Sequence, residues 1–167
     1  MTLAIAFLVA ALVHVGLRAA NVWWFLGACQ PLLLVMVAAV RRHTPVGVAW
    51  WGLAAGLAID VLADRIIGPG GIAVAAAAAA VAVLVRRFEL AGPLFWIGGA
   101  LVAALGSELV WAVVIVTLDA PADHGVLGSL AVVATTAALG MTVAAGERIL
   151  IWWRSPARAR RRELKRL

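Results

Sequence analysis

Residues 50–88 read WWGLAAGLAIDVLADRIIGPGGIAVAAAAAAVAVLVRRF. Two apolar runs flank a short break of Asp, Arg, Gly and Pro, and the second run closes on Arg86 and Arg87. Neither run alternates polar with apolar residues, as a barrel strand must, and neither has a polar face. Apolar on every side, they read as helices in lipid, where a helix satisfies all of its own backbone groups. The break contains Gly68, Pro69, Gly70 and Gly71. Glycine admits positive φ and proline fixes it, so these four residues predict a tight turn and an antiparallel hairpin.

The rest of the chain repeats this grammar. Of 167 residues, 65% are hydrophobic and 13% charged, against roughly half and a quarter in soluble domains. Lipid is the solvent that accommodates such a surface, and the length suits one domain. Six apolar segments predict six transmembrane helices over residues 3–17, 22–40, 46–63, 72–85, 94–118 and 126–146. The last continues amphipathically to Trp153. Pro31 is expected to kink or restart the second helix, and Pro45 to start the third. The fourth is short for a span of about 20 residues, which calls for little tilt, local thinning or shielding by neighbours. The first segment lacks a basic leader and a small-residue cleavage site, so it reads as a retained helix. The expected fold is all-α and polytopic: a six-helix domain over residues 1–153 and a basic tail over 154–167.

Charge sets the expected orientation. Arg41 and Arg42 fill the second gap, Arg86 and Arg87 the fourth, and half of the 14 basic residues lie in the last fourteen positions. Only Arg18 and Arg65 fall in the alternate gaps. Cytoplasmic loops are enriched in Lys and Arg, so both ends are placed in the cytoplasm. The net charge of +6 does not point to nucleic acid, because the basic block follows an apolar helix. Contact of Arg158, Arg160, Arg161, Arg162, Lys165 and Arg166 with anionic headgroups is the expected use. The doublets Trp23–Trp24, Trp50–Trp51 and Trp152–Trp153 fall near predicted ends and read as interfacial anchors. Trp111 falls inside the fifth span.

Little reactive chemistry remains. His14, His43 and His124 lie in separate segments with no Cys or carboxylate at metal-ligand spacing. Cys29 stands alone in an apolar stretch and reads as a small buried hydrophobe. No serine has a His and an acid in pattern, so neither a catalytic residue, a metal nor a cofactor is expected. Two carboxylates do lie within spans, Asp60 and Glu108, and intramembrane acids call for a functional hypothesis. Each sits about 14 residues from the cytoplasmic start of its helix, or about 21 Å up. Asp64 shares a helix face with Asp60. Together with Arg18, Asn21 and Arg65 these three acids predict a polar cluster in the outer half of the bilayer. Its use stays open between structure, with Asp60 capping or accepting from loop amides, and the binding of a partner or ligand. No ladder of acids and bases crosses the bilayer, which argues against a proton path.

Small residues dominate the hairpin. Gly52 and Gly56 are four apart on the third helix, and Ala75 to Ala80 run unbroken in the fourth. Such faces let helices approach closely in lipid. Gly52, Gly56, Ala75, Ala76, Ala77 and Ala80 are the candidate surface for packing, either within the bundle or around another protein's transmembrane helix.

Through Gly52, Gly56, Asp60, Gly68, Gly70 and Gly71, with Gln30-Pro31 opening the second helix's LLLVMVAAV, the stretch over residues 31–87 resembles the MreD family of bacterial rod-shape-determining membrane proteins. Leu32 stands where an acidic residue often follows that proline in the family. The resemblance implies a non-enzymatic scaffold of the cytoplasmic membrane. Its partners would be the transmembrane helix of MreC and, with it, MreB, RodA and the elongation transpeptidase in organising lateral peptidoglycan synthesis. The family's fold is similar to the six-helix substrate-binding S components of vitamin (ECF) transporters. A small-molecule uptake subunit, with the outer cluster as its pocket, is therefore the alternative.

Overall fold

The computed structural model describes residues 2–19, 28–63, 66–119 and 125–153. Among these residues helix is the only regular structure. We number the helices α1 (Thr2–Ala19), α2 (Pro31–Val40), α3 (Pro45–Leu62), α4 (Pro69–Arg87), α5 (Gly92–Thr117) and α6 (Val126–Trp153). Four of them, α3 to α6, are long and apolar enough to cross a membrane. The predicted tail, with Arg158, Arg160, Arg161, Arg162, Lys165 and Arg166, lies outside the described residues. So do Asn21, the Trp23–Trp24 doublet, Asp64 and Arg65.

Proline sets the starts. Pro31, Pro45, Pro69 and Pro93 each occupy the first turn of their helix, where a missing N–H costs nothing and the fixed φ already suits the helix. Thr44 caps α3 by accepting from the Gly47 amide at 3.3 Å. The restart expected at Pro31 is what the second segment shows. Ala28 to Gln30 are not helical, and the helix begins afresh at Pro31. At 10 residues, α2 is only about 15 Å long.

This short helix is the centre of the bundle. Leu32, Leu33, Met36 and Val37 are fully buried, and α2 touches each of the other five helices. Val48 of α3, Val81 of α4, and Phe95 and Ala103 of α5 pack in the same core. By contrast α6 is mostly exposed, an orientation that lipid tolerates. Beyond Ala144 the last turns of α6 show no buried face. The expected continuation to Trp153 is part of the same unbroken helix, which carries Glu147 and Arg148 and ends on exposed Trp152 and Trp153.

The α3–α4 hairpin is the most closely packed pair. A methyl group added at Gly52 would sit 2.6 Å from Ala78 Cβ and 2.7 Å from the Val74 carbonyl oxygen. One added at Gly56 would overlap the Gly70 carbonyl. The two backbones therefore touch where only hydrogen fits, the geometry that small residues permit. The fourth helix also proves longer than expected. Pro69, Gly70 and Gly71 form its first turn rather than a loop, and its 19 residues suffice to span.

Candidate functional site

Asp60 is fully buried near the end of α3. Its Oδ2 accepts from the amides of Gly68 and Gly70, both at 3.0 Å. Gly68 is the N-cap of α4, with φ +129°, and Gly70 is the second residue of that helix. The first N–H groups of a helix have no intrahelical acceptor. Gly68 has no side chain to supply one, so a carboxylate from the preceding helix does so. The N-terminal dipole of α4 favours that negative charge. The pairing also dictates a neighbour: a Cβ at Gly70 would collide with the Asp60 carboxylate. Of the two uses left open for Asp60, acceptance from loop amides is the one the geometry displays.

Asp60 and Glu108 do come together. Both line a small cavity with Gln30, Gly70, Ser107 and Trp111. Gln30 and Ser107 are buried, and the Ser107 hydroxyl donates to the Ala104 carbonyl at 3.0 Å. The cavity measures about 20 Å³, room for about one water molecule. Trp111 is buried between α4 and α5 against Ala73 and Ile115. Asp64, Arg65 and Asn21, with the side chain of Arg18, lie outside the described residues, so the cluster on view consists of Asp60 and Glu108 with two neutral polar neighbours.

The small-residue surface divides. Gly52 and Gly56 face α4 of the same chain, and Ala77 is buried beside Gly106 of α5. These three are corrected as docking positions for a foreign helix: the groove they form is already filled. Ala75 is half-buried. Ala76 and Ala80 are exposed, four residues apart on the outer face of α4.

At the opposite end stands a cluster that sequence reasoning missed. Arg41, just past α2, forms a two-pronged contact with Glu147 of α6, at 2.6 Å (Nη1–Oε1) and 3.3 Å (Nη2–Oε2). The Trp96 indole of α5 donates to Glu147 Oε2 at 2.6 Å. The Arg41 guanidinium lies over the Phe95 ring, 4.1 Å from its centre, and 5.0 Å from that of Trp96, a cation–π arrangement. Close by in the chain, the Arg86 guanidinium donates to the His43 carbonyl at 2.7 Å. One polar assembly thus joins α2, α5 and α6, and a second bond ties α4 to the α2–α3 connection. The signal is a lone acid, Glu147, in a mostly apolar helix. Position along the chain conceals it, since Arg41 and Glu147 are 106 residues apart.

Beside this assembly a groove of about 320 Å³ opens between the start of α5 and the end of α6, lined by Gly92, Pro93, Ala144, Glu147, Arg148 and Ile151. Comparison with protein-family models, with curated proteins and with solved structures finds no match for the chain.

Proposed function

We propose that the chain is a non-enzymatic scaffold of a bacterial cytoplasmic membrane that grips the transmembrane helix of a partner, as its resemblance to the MreD family implies, with MreC as that partner. The observation that carries the reading is where the intramembrane polarity goes. Asp60 is spent on the first amides of α4, and the cavity it shares with Glu108 has the volume of about one water. Binding pockets for small molecules run from about 300 Å³ upward, so among the described residues the Asp60–Glu108 cavity is too small for one, and the groove of about 320 Å³ lies at the Arg41 end instead. This supports a gripping body over an uptake subunit that would use the outer cluster. Six crossings with both ends cytoplasmic belong to the same proposal. The orientation is supported by Arg41 and Arg86 both standing at the end away from Asp60, Arg41 paired with Glu147 and Arg86 with the His43 carbonyl. A cysteine at Gly125 should then react with impermeant reagents from outside, and one at Thr44 only from inside.

With the Gly52–Gly56 groove occupied, the exposed pair Ala76 and Ala80 is the small-residue surface left for a partner helix. The test is co-purification with MreC from solubilised membranes. Ala76→Leu with Ala80→Leu should abolish recovery of MreC while the chain stays folded. Undiminished recovery removes the docking surface. A vitamin retained one-to-one in native mass spectrometry overturns the scaffold in favour of uptake.

A further inference from the structure

The groove at the Arg41 end has two unlike parts. Gly92, Pro93, Ala144 and Ile151 make an apolar floor, and Arg148 stands at its edge. Glu147 also lines it, but both of its oxygens are engaged, Oε1 by Arg41 and Oε2 by Arg41 and Trp96. Its charge is thereby answered within the protein. Arg148 is exposed and forms no ion pair among the described residues. Arg42, Arg86 and Arg87 are exposed on the same end of the bundle, with Glu89 the exposed acid among them, so the balance of charge at that end is positive. The groove lies on the side of two helices that are long and apolar enough to face lipid. With the orientation proposed above, an apolar slot between α5 and α6 with an unpaired Arg148 at its lining would stand near the headgroups, where a lipid with a negative headgroup matches it. Basic pockets between helices on the cytoplasmic side are suited to such lipids.

We propose that this groove seats one anionic phospholipid, with its phosphate against Arg148, beside Ile151, and an acyl chain running inward past Pro93 and Ala144. The site rests on the membrane orientation proposed above, though not on the partner helix, and is distinct from the basic tail. Of the Arg41–Glu147–Trp96 assembly only Glu147 lines the slot; Arg41 and Trp96 hold it from behind, tie α5 to α6, and keep its charge from repelling the phosphate.

The full-length chain, purified and stripped of lipid, is titrated with phosphatidylglycerol or phosphatidylcholine, and the bound lipid is counted by native mass spectrometry. One phosphatidylglycerol should be retained in preference to phosphatidylcholine. Arg148→Gln should weaken it about fivefold, the worth of one basic residue at an anionic surface. Ile151→Trp, which fills the slot at an exposed position, should displace it from the folded protein. Replacing the six basic residues from Arg158 to Arg166 by Gln should leave it bound. Equal retention of the two lipids overturns the site. So does loss of phosphatidylglycerol on neutralising the tail combined with indifference to Arg148→Gln and Ile151→Trp.

Discussion

The two ends of the bundle are held by opposite means. At the Asp60 end a fully buried carboxylate is bound by backbone amides, and the helices around it touch through glycine. At the Arg41 end a half-exposed ion pair and an indole connect helices whose side chains reach across open space, with side-chain exposures of 38% and 30% for Arg41 and Glu147. Where α3 meets α4 the backbones touch and Asp60 is fixed by two amides, so that contact has one arrangement. The Arg41 end is open, adjustable and screened by salt. Backbone contact in a buried site makes a rigid hairpin; charge in an open one makes a fastening that can coexist with a groove.

Six substitutions would break or sharpen this contrast, each read by reversible unfolding in mixed micelles with SDS. The largest effect belongs to Gly56→Leu. Even its Cβ overlaps the Gly70 carbonyl, and backbone cannot swing aside as a side chain does, so a loss of about 3 kcal/mol or more is expected. Wild-type stability in this variant would show that the hairpin is loose.

Next comes Asp60→Ala, which strands two amides in a buried site and should cost about 3 kcal/mol. Asp60→Asn keeps an acceptor oxygen and should cost clearly less. Equal losses for the two would mean that charge, rather than hydrogen bonding, is what α4 requires.

Glu147→Gln at the other end should cost about 1 kcal/mol or less, as exposed ion pairs do. The gap from wild type should shrink as salt rises, because the pair is screened. A loss as large as that of Asp60→Ala would erase the distinction between the ends. Smallest of all, Ala76→Leu and Ala80→Leu should change stability by no more than about 0.5 kcal/mol, as surface substitutions do. Their effect should fall on the partner alone.

Much of the Asp60 end is legible in the sequence. The glycine spacing, the Pro69 start and an acid one turn from the helix end are local features, and they predict a hairpin with a buried carboxylate. What they leave open is which neighbour the small faces touch. Gly52 and Gly56 look the same whether a foreign helix or α4 fills them, and only the crossing of α3 with α4 distinguishes the two. Reading Gly70 and Gly71 as turn residues shortens α4, because a helix cap supplied from another helix leaves no mark nearby in the chain. The Arg41 end reads in sequence only as topogenic charge. Its meaning depends on Glu147 and Trp96 arriving from distant helices.

The sequence by itself determined the solvent, the helical character and the end of the bundle that carries the charge. Each of these follows from composition within a segment, and lipid enforces it on every segment separately. The tertiary structure alone decided that the 10-residue α2 forms the centre, that Asp60 serves the next helix, and that Arg41, Trp96 and Glu147 meet beside a groove. Those outcomes depend on how helices rotate and slide against one another. In lipid no hydrophobic force sets that register, so close packing and a few hydrogen bonds must do it.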